Sequence, residues 1–187
     1  MNQIDELIDV LTKSTQLQPA ISVTAQTLVA CLKKGGKILS CGNGGSGAEA
    51  LHLAEKLVGR CLAPRPPLPA ICLNADPTLL TCVGNDYGFE HIFARQVTAL
   101  AKSGDILVGF STSGNSPNIL AAFAAARTMQ AKSIFIGGSD GGRAHGLCDY
   151  ELLVPSISAA RIQEVHTLIL HSWLEEVERE FCTTKAT

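Results

Sequence analysis

Apolar positions along the chain follow the helical period in some stretches and form short unbroken runs in others. Ile4, Leu7, Ile8 and Leu11 recur at helical spacing, which predicts a short amphipathic opening helix. A second helix is predicted from about Pro19 to Lys34, with a proline in its first turn, and Gly35-Gly36 ends it. Lys37-Ile-Leu-Ser-Cys41 reads as a buried strand, and Ala48 to Arg60 returns to the helical period with Leu51, Ala54, Leu57 and Val58 as its apolar face. The prolines of Pro64-Arg-Pro-Pro-Leu-Pro69 exclude a regular helix or a central strand, so this stretch is a connector. A strand follows at Ala70–Leu73, then a short helix over 77–84 that stops at Gly84-Asn85-Asp86, and another from about Glu90 to Lys102. Strands at Asp105–Phe110, Ser133–Ile136 and Tyr150–Val154 alternate with helices at Ile119–Met129 and roughly Ala160–Glu180. Short apolar strands alternating with helices predict an α/β fold: a three-layer sandwich whose five-stranded parallel sheet is flanked by helices.

Composition narrows the class. A length of 187 residues suits one domain with a substantial core. With 46% hydrophobic and 17% charged residues the chain is not disordered, and a net charge of -2 gives no basic footprint for nucleic acid. The seven cysteines (Cys31, Cys41, Cys61, Cys72, Cys82, Cys148 and Cys182) are odd in number, widely spaced and free of any CxxC pair, which argues against a disulfide framework or a thiolate zinc site. The acidic, amphipathic first residues are unlike a signal peptide, and no stretch approaches the roughly 20 apolar residues a membrane span needs. A reducing, cytoplasmic setting with neither nucleic acid nor membrane as partner is the default expectation.

Two glycine- and serine-rich segments follow strands and open helices: Cys41-Gly-Asn-Gly-Gly-Ser46 and Ser111-Thr-Ser-Gly-Asn-Ser116. Glycines let backbone N–H groups approach a ligand, and a helix N-terminus attracts an anion. The hydroxyls of the second segment add donors that wrap a phosphate without any lysine. Neither segment is GxxxxGK[ST], and the hydroxyl-rich second one suits a small phosphorylated metabolite better than a nucleotide. Ordinary turn and capping chemistry is the competing reading, since Ser, Asn and Gly favour such positions anyway. Among the remaining polar residues, His52 and Lys56 share a helix face, and Gln163, His166 and His171 lie on the last helix. Gln163 and His171 are eight residues apart, about 12 Å along an ideal helix, so one straight helix does not bring both to one metal ion.

The chain resembles the SIS-domain phosphosugar isomerases, and specifically the phosphoheptose (sedoheptulose 7-phosphate) isomerase family. The resemblance rests on the two glycine- and serine-rich segments, His52-Leu-Ala-Glu-Lys-Leu-Val-Gly-Arg60, Cys82-Val-Gly-Asn-Asp-Tyr-Gly-Phe89, Asp140-Gly-Gly142 and Arg161-Ile-Gln-Glu-Val-His166, with His171 beyond. It implies a single SIS domain over residues 1–187, with 1–34 as a helical extension taking part in oligomerisation. It further implies interconversion of sedoheptulose 7-phosphate and D-glycero-D-manno-heptose 7-phosphate through an enediol. On the same basis Asn43, Gly44, Gly45, Ser46, Asn85, Asp86 and Gln163 would contact the seven-carbon sugar phosphate, and Ser111, Thr112, Ser113 and Ser116 would hold its phosphate. His52, Gln163 and His171 would correspond to zinc ligands, His171 would also be the acid/base histidine, and the working object would be a homotetramer with sites between subunits.

One position departs from the family pattern. Where the family has His-x-x-x-Glu, this chain has Lys56, and its glutamate sits one residue earlier at Glu55. One residue turns a helical side chain by about 100°, so Glu55 does not simply replace the missing carboxylate. A lysine removes a ligand and adds positive charge, which weakens zinc. Lys56 is then the candidate second catalytic group beside His171, acting on the developing oxyanion. The same departure supports an alternative, a non-catalytic SIS-domain protein that binds a phosphosugar or a replication initiator.

Overall fold

The computed structural model describes residues 2–182. Five strands, β1 (Ile38–Gly42), β2 (Ala70–Cys72), β3 (Ile106–Ser111), β4 (Lys132–Gly138) and β5 (Tyr150–Val154), form one parallel sheet in the order β2-β1-β3-β4-β5. β1 and β3 are buried along their whole length, as a parallel sheet covered on both faces requires. The helices are α1 (Gln3–Ser14), α2 (Gln18–Lys33), α3 (Gly45–Val58), α4 (Pro77–Tyr87), α5 (Ala94–Leu100), α6 (Pro117–Thr128) and α7 (Ala159–Phe181). The predicted sandwich is what forms.

Alternation along the strands divides the core in two. Ile106, Val108 and Phe110 of β3 face a cluster built with Leu28 of α2, Leu53 of α3 and Trp173 of α7, while Leu107 faces Val97, Ala122 and Phe123 of α5 and α6. Gly109 shares the face of Leu107, and the Phe123 ring, 2.4 Å from an added Cβ, occupies the space a side chain would take. Trp173, fully buried, donates its indole N–H to Thr24 Oγ1 at 2.9 Å and joins α7 to α2.

The chain leaves β1 toward β2 on one side and returns to β3 on the other. Strand order therefore reverses between β1 and β3, and in open parallel sheets the ligand crevice lies outside the carboxyl ends of the strands at such a point. Both glycine- and serine-rich segments sit there, at the ends of β1 and β3.

The far end of α3 is fixed to α7 by a buried acid. Glu178 accepts hydrogen bonds from the backbone N–H groups of Cys61, Leu62 and Ala63 at 2.7, 2.9 and 3.0 Å. Arg65, alongside, donates to the carbonyls of Lys56 and Leu57 at 2.5 and 2.9 Å. Burial pushes the Glu178 carboxyl up, but the three N–H donors and the guanidinium outweigh it and hold it below its ordinary value.

Several predicted details are corrected. α4 runs through Gly84, Asn85 and Asp86 and stops at Gly88, whose φ of 93° suits glycine alone. The helix expected from Glu90 to Lys102 divides into a 3-10 turn at Phe89–His91 and the shorter α5, which ends when the Lys102 N–H bonds to the Asp105 carboxylate at 2.9 Å. The buried stripe of α3 is Ala50, Leu53, Ala54 and Leu57, while Leu51 and Val58 stay about half exposed. In α1 it is Val10 that is buried, and Ile4 and Ile8 lie open.

Candidate active site

The first loop turns as sharply as it does because of its glycines. A Cβ on Gly42 would stand 2.2 Å from the Ser46 carbonyl oxygen, and Gly44 caps α3 at φ 54°, ψ -122° with no side-chain hydrogen bond to the helix. A Cβ on Gly45 would meet Gln163 Nε2 at 2.4 Å, so the Gln163 amide from α7 packs directly on this loop. Asn74, just after β2, brackets Gly42: it accepts from the Gly42 N–H at 3.2 Å and donates to the Gly42 carbonyl at 2.8 Å.

Asn43 and the buried Asn118 of α6 exchange two amide hydrogen bonds, at 2.9 and 2.8 Å, and tie the first loop to the second. Sequence reading singled out neither Asn74 nor Asn118. An asparagine after a strand or in a first helical turn looks like ordinary turn chemistry, and only the fold shows that these amides bracket the crevice.

The second loop is braced from the side. Gly114, at φ 62°, lies so close to the Gly141 carbonyl that an added Cβ would stand 1.9 Å from its oxygen. The Arg143 N–H donates to Asn115 Oδ1 and the Ala144 N–H to the Gly114 carbonyl, both at 3.0 Å. Asp140-Gly-Gly142 is thus the rail that shapes the loop. Ser113 Oγ accepts from the Asn115 N–H at 3.2 Å. Ser116 occupies the N-cap of α6, yet its hydroxyl makes no capping hydrogen bond. Side-chain capping therefore does not account for Ser116. A hydroxyl without a capping bond thus stands at a helix N-terminus at the carboxyl end of the sheet, where an anion is favoured.

α3 and α7 run side by side and bring His52 and His171 together, ring centroids 5.2 Å apart and edge to face. Burial lowers the His52 pKa first, with His171 and Lys56 adding to the effect and Glu55 opposing it. Its neutral form is favoured. Lys56 is partly shielded and its Nζ lies 3.7 Å from Glu55 Oε1, on the more exposed side. Gln163 is not part of this group: it sits over Gly45, about 12 Å along α7 from His171. Asn85 and Asp86 are exposed in the last turn of α4, where Asn85 donates to Asp86 at 2.8 Å; no hydrogen bond joins either to the loops.

Zinc, which the resemblance suggests, requires three or four donors around one point. Two imidazoles approach each other, but the third named donor, Gln163, lies elsewhere and Lys56 contributes an ammonium in place of a carboxylate. Among the described residues, no group of three His, Cys, Asp or Glu side chains is arranged to hold a metal. The donors of a single chain do not fit a resident zinc.

Fold and loops together define a SIS domain, and the SIS-domain family model matches residues 2–138. The chain is 49% identical over 164 residues to the phosphoheptose isomerase of Helicobacter hepaticus, covering 88% of this chain and 84% of that one. It is 53% identical over 151 residues to that of Solidesulfovibrio magneticus, covering 81% and 74%. Among solved structures, the phosphoheptose isomerase of Neisseria gonorrhoeae superposes with a TM-score of 0.89 at 39% identity, covering 94% of this chain and 95% of that one. The chain belongs to the phosphoheptose isomerase family.

The free Ser116 hydroxyl generates a prediction. A lost N-cap costs about 1 kcal/mol, or about 2–4 °C in Tm for a chain of this size. Ser116→Ala is expected to leave Tm within about 1 °C and to weaken inorganic phosphate about tenfold by calorimetry. A lower Tm with unchanged phosphate affinity would assign Ser116 to capping after all.

Proposed function

We propose that the chain catalyses the reaction of its family, the interconversion of sedoheptulose 7-phosphate and D-glycero-D-manno-heptose 7-phosphate. The observation that carries this reading is the convergence of two helix N-termini at the strand-order reversal, with the Ser116 hydroxyl left free. Ser111, Thr112, Ser113 and Ser116, with the N-terminus of α6, take the phosphate. Asn43, Gly44, Gly45, Ser46 and Gln163 receive the sugar chain, and Asn85 and Asp86 contribute to the same substrate.

The chemistry moves one proton between adjacent carbons and one between the oxygens they carry. His171 takes the proton from C1 of the ketose, which leaves an enediol, and returns it to C2 to give the aldose. Negative charge develops on the oxygens as C1 loses its proton. Lys56, whose charge is felt at His52, stabilises that oxyanion, and the neutral His52 imidazole accepts a hydrogen bond beside it. A lysine thus fills the electrostatic part of the role that the family gives to a carboxylate.

Lys56 also favours the second reading, a SIS-domain protein that binds a phosphosugar without turning it over. Assaying aldose formation from sedoheptulose 7-phosphate separates the two. The wild-type chain is expected to turn over, and Lys56→Ala to lose about 100-fold in kcat, the loss typical of one oxyanion donor. A gain on Lys56→Glu would show that the lysine hinders the reaction. Inactivity of both the wild type and Lys56→Glu would leave the binding protein.

The assembly proposed is a homotetramer with sites between subunits. Ile4 and Ile8 of α1, Leu51 and Val58 of α3 and Leu168 of α7 are each about half exposed or more, on the helices that carry or adjoin His52 and His171. Subunit contact there would complete the group that a single chain leaves partial. The mass of the particle by light scattering is expected to equal four chains, and a monomer would remove this part of the proposal.

A further inference from the structure

Below the two loops, α3 and α7 are joined by a buried couple that the chemistry above does not use. His166 is fully buried and Glu49 is 7% exposed. His166 Nε2 lies 3.1 Å from the Gly137 carbonyl oxygen, and Nδ1 lies 3.2 Å from Glu49 Oε2. A carbonyl oxygen only accepts, so Nε2 carries a hydrogen and donates it. Nδ1 then meets a carboxyl oxygen, and the contact is a hydrogen bond only if one further proton lies between them, on the ring or on the acid. In both arrangements the couple is neutral overall, as its burial favours. The Phe110 ring packs against the imidazole, centroids 6.1 Å apart.

Three elements meet at this couple, and each carries part of the site. Glu49 lies one helical turn after Gly45, in the helix opened by the first loop. His166 lies three residues after Gln163 on α7, so both occupy one face of that helix. Gly137 is the ladder partner of Ser111, where the second loop begins. Glu49 Oε1 is buried and has no hydrogen-bond partner among the described residues. A buried acid–base couple with one oxygen unsatisfied stabilises a fold less than well-packed apolar side chains of the same volume. Stability alone does not account for it.

We propose that Glu49 and His166 are positioning residues for the isomerase site. Their hydrogen bonds hold the first loop, Gln163 and the start of the second loop in one mutual arrangement, so that the loop donors and Gln163 address the same substrate molecule. The inference rests on the isomerase reading above. Misplacing reacting groups by about 1 Å costs on the order of 100-fold in rate, so the couple should show itself in kcat.

The test compares the wild type with Glu49→Gln and with a double variant, Glu49→Leu with His166→Leu. The double variant is expected to melt no lower than the wild type and to lose about 100-fold in kcat, with KM within about threefold. Glu49→Gln preserves a hydrogen bond to Nδ1 from a neutral group, and should keep kcat within about tenfold of the wild type. If the double leucine chain fails to fold, His166→Asn, too short to span Glu49 and Gly137, takes its place with the same expected loss. A wild-type kcat in the variant that breaks both hydrogen bonds would overturn the proposal. So would a loss in Glu49→Gln as large as in that variant, which would make the couple's proton a reactant rather than its bonds a support. A wild type inactive on sedoheptulose 7-phosphate would overturn the isomerase reading itself, and the couple's assigned role with it.

Discussion

Two helices begin at the same place because the order of strands reverses between β1 and β3. Neighbouring crossovers leave the sheet on opposite sides there, and the N-terminal ends of α3 and α6 are left beside the crevice. The positive ends of two helix dipoles favour an anion in that crevice whatever the loops contain. The loops then refine it. Glycines at 42, 44, 45 and 114 keep side chains out of space that neighbouring backbone or Gln163 needs, or supply a backbone angle that other residues resist. The Asn43–Asn118 amide pair fixes the distance between the two loops. Geometry and local dipoles, without a basic surface, are thus what this near-neutral chain offers an anion.

The seam between α3 and α7 organises the rest. Reading along it, Gln163 packs on Gly45, His166 meets Glu49, His171 meets His52, and Glu178 holds the segment that follows α3. Each pairing joins a residue of one helix to the neighbourhood of the other, so small rotations of α7 would move several groups at once. This arrangement also explains why Gln163 and His171 do not converge. They belong to different levels of one seam.

Much of this was legible in the chain. The strands, their parallel arrangement and the two loops follow from apolar runs, glycine placement and the alternation of elements, because those features act locally. The family followed from several long motifs in order. What escaped was set by tertiary contacts. Leu51 and Val58 have the right chemistry for a buried stripe, but the rotation of α3 against the sheet buries Ala50 and Leu53 instead. The end of α5 depends on Asp105 taking the Lys102 N–H, a bond across a turn that periodicity does not register. Asn74, Asn118 and Glu49 are unremarkable as letters and gain meaning only from the groups that the fold places opposite them.

Isotope exchange tests directly whether the proton moves by way of a base and an enediol. Sedoheptulose 7-phosphate is incubated with the chain in deuterium oxide and the aldose product is followed by NMR. Transfer through His171 predicts an aldose 7-phosphate that carries solvent deuterium at C2, because the proton held by the base exchanges before it is returned. An absence of aldose, or an aldose whose C2 hydrogen comes wholly from the substrate, would contradict it.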